Sequence, residues 1–294
     1  MSPHVEPHAR RFRTPSCGVT SRRRLLAGAG VLAGTIPVAG AVDGLIVTPN
    51  RLVKSDQEVP GRAAGNGTKL TAIQVSDLHL KRIGFLERRV LEQIHDSAAD
   101  LILFTGDMVD SRAHLWTFEQ FLRECPRQPR LFAIMGNWEH WAGIRLEALA
   151  RLYERHGVEL LVNRSVEFDK SGARIRVTGL DDLVAGRPDI AAALVDAAPT
   201  PNHLLLAHCP AARDGLELPA EHPVDLMLSG HTHGGQISPF GCALVRPQGS
   251  GRYVSGWYRD GGPPLYVCRG IGTSLVPIRI GATPELARFE WSLA

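Results

Sequence analysis

Three short apolar runs, Leu70–Val75, Leu101–Phe104 and Leu131–Met135, are each followed by a stretch with helical hydrophobic periodicity: Phe85–Ala98, Trp116–Glu124 and Ile144–His156. Runs this short suit strands buried on both faces better than helices. Strands alternating with helices imply a parallel sheet, because parallel neighbours need a crossover connection. From Glu159 onward the rhythm changes. Ser165–Phe168, Arg174–Val177, His203–Ala207, Asp225–Leu228, Pro264–Cys268 and Leu286–Trp291 read as strands, with Ile190–Ala198 as the one helix-like stretch between them. A second, mixed sheet is therefore expected to lie against the first. The predicted fold is α/β: two facing mixed β-sheets flanked by helices, built from residues 70–294. Residues 42–69 read as a lead-in, polar and Gly-rich from 54 onward and expected to be a loop or irregular edge.

Charge is divided unevenly along the chain. Residues 1–41 hold six arginines and a single acid, Glu6, whereas the remainder carries 27 basic and 29 acidic residues. The body therefore lacks the basic footprint that nucleic-acid binding requires, and no nucleic-acid partner is expected. Ser21-Arg22-Arg23-Arg24 followed by an apolar, Gly- and Ala-rich run to Val42 resembles a twin-arginine (Tat) signal. Ala39-Gly40-Ala41 supplies a small-x-small cleavage pattern. Residues 1–41 are thus expected to be a signal peptide or a retained anchor. The implied partner is the Tat translocase, and the implied location is periplasmic or extracytoplasmic, with membrane association if the leader stays. Cys125, Cys209, Cys242 and Cys268 form no CxxC pair and read as buried thiols; Cys17 lies in the leader.

Each core strand closes on a polar cluster. These are Asp77-Leu78-His79, then Gly106-Asp107, then Gly136-Asn137-Trp138-Glu139-His140, then His208, then Gly230-His231-Thr232-His233. Ligands of open α/β sheets bind at the carboxyl ends of strands, where all these clusters fall. Two Asp, one Asn and four His offer hard oxygen and borderline nitrogen donors, a set suited to Mn, Fe or Zn. One carboxylate can bridge two such ions. Taken singly, a His after a strand is ordinarily a satisfied loop residue and a Gly-Asp pair an ordinary turn. Five clusters in this order are harder to explain that way.

The ordered set resembles the calcineurin-like metallophosphoesterases over about residues 70–290. The strings Leu228–Ile237 and Arg269–Arg279 are similar to the exported or membrane-associated bacterial branch of that family. The resemblance implies a two-sheet αββα sandwich and two divalent transition-metal ions. Asp77, His79 and His233 would hold one ion, Asn137, His208 and His231 the other, and Asp107 would bridge them. It implies hydrolysis of a phosphodiester or pyrophosphate by a metal-bridging hydroxide. The substrate would be a small or lipid-linked phosphoester, such as UDP-2,3-diacylglucosamine. The family commonly carries His after the Asn, where it assists phosphate or leaving group; this chain has Trp138. Trp supplies no proton of useful pKa, which leaves His140 as the candidate acid. A metal-binding scaffold or sensor with little turnover is the alternative.

Other residues carry two readings each. Arg269 and Arg279 could grip phosphate or form structural pairs. Asp181 and Asp182 could orient a ligand His or make a turn. Trp116, Trp138 and Trp141 could line an apolar pocket or simply pack. Cys209 should point away from the cluster if its segment is extended. His95 and His156 fall on helix-patterned stretches and read as solvated.

Overall fold

The computed structural model describes residues 43–62 and 67–294, so the leader lies outside the described residues. Residues 43–294 form one unit containing two six-stranded mixed sheets. The first sheet contains β1 (Val53–Val59), β2 (Lys69–Val75), β3 (Leu101–Thr105), β4 (Arg130–Ile134) and β5 (Val158–Leu160), together with the last strand, β12 (Glu285–Ser292). Its order is β1-β12-β2-β3-β4-β5, with β2 to β5 parallel and β12 antiparallel to β2. The second contains β6 (Arg164–Lys170), β7 (Ala173–Gly179), β8 (Asn202–Leu206), β9 (Leu226–Ser229), β10 (Gly256–Tyr258) and β11 (Leu265–Val267). Its order is β10-β11-β9-β8-β7-β6, with β7, β8, β9 and β11 parallel.

The period-two rule sorts each buried strand between two cores. In β3, Leu101 and Leu103 face the core between the sheets, while Ile102 and Phe104 face the helices. In β8, Leu204 and Leu206 join the inter-sheet core and Leu205 the outer one. Helices α1 (Phe85–Asp96), α2 (Leu115–Glu124) and α4 (Leu146–Glu154) cover the first sheet through Val90, Ile94, Phe118, Phe121, Leu149 and Tyr153. A short helix, α3 (Asn137–Trp141), precedes α4. The outer face of the second sheet is covered by short elements, among them α5 (Ile190–Ala193), which ends well before the expected Ala198. Among the described residues, no helix is long and apolar enough to cross a membrane.

One expectation is corrected at the N-terminal edge. Residues 53–59, placed mostly in a loop by their polarity, pair in parallel with β12 along their whole length. Their exposure alternates, as suits an edge strand with one wet face, and that wet face accounts for the polar composition. Strands β5 and β10, of three residues each, are too short to leave a hydrophobic pattern.

Candidate metal centre

The parallel strands β2, β3, β4, β8 and β9 deliver their C-terminal loops to one place. Asp77 and His79 follow β2, Asp107 follows β3, Asn137 opens α3 after β4, His208 follows β8, and His231 and His233 follow β9. The sheets are tied beneath the cluster by Gln74, whose Nε2 donates to Thr105 Oγ1 and to the Ser229 carbonyl, both at 3.0 Å. Adjacent loops zip together as Asp77 N donates to Gly106 O at 3.0 Å and His79 N to Asp107 O at 3.0 Å. Two glycines permit this approach. A Cβ on Gly106 would lie 2.6 Å from His208 Nδ1 and 2.7 Å from Gly136 N, and one on Gly230 would overlap the Ser76 hydroxyl and the Asp77 carboxylate.

All seven candidate donors are buried and converge. Ligand atoms of Asp77, His79 and His233 lie within 4.8 Å of one another, as do those of Asp107, His208 and His231. Asn137 Oδ1 lies 2.9 Å from His231 Nδ1 and joins the second group. Asp107 Oδ2 lies between the groups, 3.1 Å from His208 Nε2 and 3.8 Å from His79 Nε2. Its other oxygen accepts from Trp138 N at 2.9 Å, which fixes the carboxylate plane.

Hydrogen-bond roles show what the cluster fits. His208 Nδ1 donates to the Thr105 carbonyl at 2.8 Å, and His231 Nε2 donates to the Gln248 carbonyl at 2.7 Å. Each imidazole is thereby held as the tautomer that aims a lone pair inward. Those lone pairs, on His208 Nε2 and His231 Nδ1, face each other at 3.3 Å beside Asp107 Oδ2 and Asn137 Oδ1. Acceptors converging on acceptors repel unless a cation or proton sits among them. In the other group, His79 Nε2 and His233 Nε2 face each other at 3.1 Å, with Asp77 Oδ1 at 3.5 Å from the latter. The residues present therefore fit two divalent ions.

In the titration pattern a proton on His208 Nε2 faces Asp107, the place a bound cation would take over. Burial pushes Asp107 upward, but the His208 charge and hydrogen bond outweigh it and hold its pKa at about 2. Burial likewise pulls His208 down, and Asp107 overrides it, keeping that imidazole protonated well above its ordinary range. Burial lowers His79 to about 4, and it lowers His231 and His233 as well.

Glu139 was not singled out by sequence, although Glu three residues after Gly136 is a helix-capping signal. Its buried carboxylate accepts from Gly136 N at 2.9 Å, Asp107 N at 3.0 Å, Met108 N at 2.6 Å and Val109 N at 3.2 Å. It clamps the β3 and β4 loops together. Burial raises its pKa to about 7, with the Asp107 charge adding to the rise.

The remaining candidates resolve individually. His140 is drawn aside: its Nε2 meets Asp181 Oδ1 at 2.8 Å, a hydrogen bond that raises its pKa, and it is not among the residues lining the cavity over the cluster. Asp182 makes a turn, accepting from Val184 N at 2.8 Å and Ala185 N at 2.7 Å. Cys209 donates its thiol proton to Asp182 at 3.0 Å, and burial pushes its pKa far up. Arg279 is wholly buried and spends its guanidinium on carbonyls of Gly272, Arg269 and Ala282, with Nη2 3.2 Å from His233 Nδ1. Arg269 lies 3.4 Å from Glu285. Trp138 and Trp141 do line the cavity and stack edge to face at 5.4 Å, whereas Trp116 is exposed on α2. His156 is buried against Glu119 rather than solvated, and Cys242 is exposed rather than buried. His95 is exposed, as expected.

The cavity measures about 450 Å³. Its polar lining includes Asp107, Asn137, His231 and His233, and its apolar lining includes Trp138, Trp141, Ile237, Val245, Leu275 and Val276. Concave, largely apolar sites with a few convergent polar groups are the usual form of small-molecule sites.

A family model for calcineurin-like phosphoesterases matches residues 70–235. The uncharacterized metallophosphoesterase YkuE of Bacillus subtilis is 31% identical over 280 residues, covering 92% of this chain and 96% of that protein. Another B. subtilis metallophosphoesterase, the uncharacterized YkoQ, is 27% identical over 225 residues, covering 74% of this chain and 82% of that protein. The phosphodiesterase YaeI of Escherichia coli is 30% identical over 236 residues, covering 76% of this chain and 83% of that protein.

Proposed function

The chain belongs to the calcineurin-like phosphoesterase family, and from that footing we propose that it hydrolyses phosphodiester or pyrophosphate bonds with two divalent transition-metal ions, Mn, Fe or Zn. The observation that carries this reading is the convergence of acceptor atoms on two points joined by Asp107 Oδ2. Asp77, His79 and His233 would hold one ion, Asn137, His208 and His231 the other, with Asp107 shared. When bound, such ions neutralise phosphoryl charge and lower the pKa of water.

The chain's own residues do the positioning. The Thr105 and Gln248 carbonyls fix the tautomers of His208 and His231, and the Trp138 amide orients Asp107. Trp138 and Trp141 form an apolar wall of the cavity beside the cluster. Trp138 has no proton of useful pKa to give a departing oxygen, and His140 Nε2 is engaged by Asp181 at 2.8 Å. Substrates whose leaving group departs unprotonated are therefore favoured, and a diphosphate or a phenolate meets that demand.

The test is hydrolysis of aryl and alkyl phosphodiesters with added manganese. Bis-p-nitrophenyl phosphate should turn over readily and simple dialkyl esters slowly. General-acid assistance is worth about 10²–10⁴-fold, so Trp138→His should speed the alkyl esters selectively, while His140→Ala should leave the dependence on leaving-group acidity unchanged. No manganese-dependent hydrolysis would favour the scaffold or sensor alternative. A leaving-group dependence that steepens in His140→Ala would make His140 the acid. The leader adds a proposed location, export of the folded domain through the Tat translocase.

A further inference from the structure

Two loops at the mouth of the cavity hold apolar side chains out in water. Residues 237–248 carry Phe240, fully exposed, and Val245, 72% exposed; residues 273–278 carry Leu275, 85% exposed. Single exposed apolar residues are ordinary on a protein surface, but these belong to one opening. Ile237, Val245, Leu275 and Val276 line the cavity itself, and Phe240 lies on the loop between the first two. Phe240 and Leu275 are held at φ of 54° and 60°, a left-handed conformation that is costly for bulky residues. Among the described residues, no burial offsets that cost.

The loops are also fastened. Gln236 Nε2 donates to the Ser274 carbonyl at 3.1 Å and the Val276 carbonyl at 3.0 Å, and Ser274 N returns a bond to Gln236 Oε1 at 3.0 Å. Beside them runs the start of the described chain, tied by Arg279 N to the Gly44 carbonyl at 2.9 Å, with Leu45, Ile46 and Val47 exposed. The polypeptide entering that segment is the apolar Leu25–Val42 run. Charge fits the same surface: from residue 226 to 284 the only carboxylate is Asp260, paired to Arg252 at 2.7 Å, while Arg246 is exposed next to Val245.

We propose that this collar seats on an anionic lipid surface, so that the cavity opens against the bilayer and accepts a phosphoester borne by an amphiphile held there. Exposed apolar side chains interleaved with arginine are the composition that favours such an interface. Trp138 and Trp141 would then pack along the chain of the amphiphile while its phosphate reaches the end of the cavity lined by Asp107, Asn137, His231 and His233, where the ions would be held. The substrate half of this statement rests on the phosphoesterase reading; the docking half does not.

Cys242 makes the docking measurable, because it is exposed on the collar loop whereas Cys125, Cys209 and Cys268 are buried. The full chain carrying Cys17→Ser is labelled at Cys242 with an environment-sensitive fluorophore. It is then mixed with vesicles of equal parts phosphatidylcholine and phosphatidylglycerol. A blue shift of the emission, quenched by brominated acyl chains, is expected. Phe240→Asn with Leu275→Asn keeps residues that tolerate the left-handed conformation. That double variant should need about tenfold or more lipid for the same shift, and Phe240→Asn alone, outside the cavity lining, should leave hydrolysis of bis-p-nitrophenyl phosphate unchanged. Vesicle binding without a shift would mean that the leader alone attaches, and would overturn the proposal, as would an undiminished shift in the double variant. Hydrolysis without a shift overturns the docking and spares the phosphoesterase reading; a shift without manganese-dependent hydrolysis does the reverse.

Discussion

Asp77, His79, Asp107, His231 and His233 all have positive φ, between 42° and 72°. Each such residue costs on the order of 1–3 kcal/mol and persists only where its surroundings over-determine it. Here the surroundings do so: His231 N donates to both oxygens of Asp77, at 2.9 and 3.1 Å, and Asp107 is gripped by Trp138 N. The seven donors were legible because each stands at a fixed small offset from the end of an apolar run. The fate of His140 was not, because its partner Asp181 lies at the end of another strand, and no spacing records that proximity. At this scale a buried histidine outside the cluster predicts acid sensitivity. His203 is held near a pKa of 3 by burial, with Arg176 and His222 adding to the effect. The unfolded chain takes up that proton below about pH 6.5 and the native chain does not, so stability falls as pH drops from 6.5 toward 3. Between pH 6.5 and 5 the loss is on the order of 2 kcal/mol. Denaturant unfolding at the two pH values should show that part of the loss missing in His203→Gln. An equal loss in wild type and variant would assign the acid sensitivity elsewhere.

Loops at strand ends position the site, and they are held by partners that pattern reading barely sees. The strands announced themselves by period and the helices by their apolar stripe. By contrast, β1 was hidden by its wet face, and α3 by its five-residue length. Glu139 is the clearest case, since one carboxylate on α3 collects four backbone N–H groups from the β3 and β4 loops. Glu139→Gln places an amide donor among those donors. The expected cost is about 1.5–3 kcal/mol in stability and about 10–100-fold in manganese affinity, because Asp107 loses its backbone anchor. Unfolding of the metal-free protein and a manganese titration measure the two effects. Unchanged manganese affinity would show that the clamp stabilises the loops without shaping the donors.

In the whole molecule, two stacked sheets bring their parallel strands to one edge, so residues as distant as Asp77 and His233 share one centre. The alternation of strands and helices made the first sheet legible. The pairing of β12 between β1 and β2 depends on contacts across most of the chain and left no local trace. The proposed Tat leader, residues 1–41, is a reading of location. Replacing Arg22 and Arg23 by Lys should hold the protein in the cytoplasm with its hydrolysis in lysate intact, and cell fractionation checks this; export that continues unchanged would remove the Tat reading. The proposed dinuclear centre is tested most directly by metal analysis of the manganese-loaded chain alongside Asp107→Asn. Two ions per wild-type chain, with both sites weakened by that single substitution, is the expected result, because Asp107 Oδ2 faces both donor groups. A single ion per chain, with the second site empty under excess manganese, would contradict it.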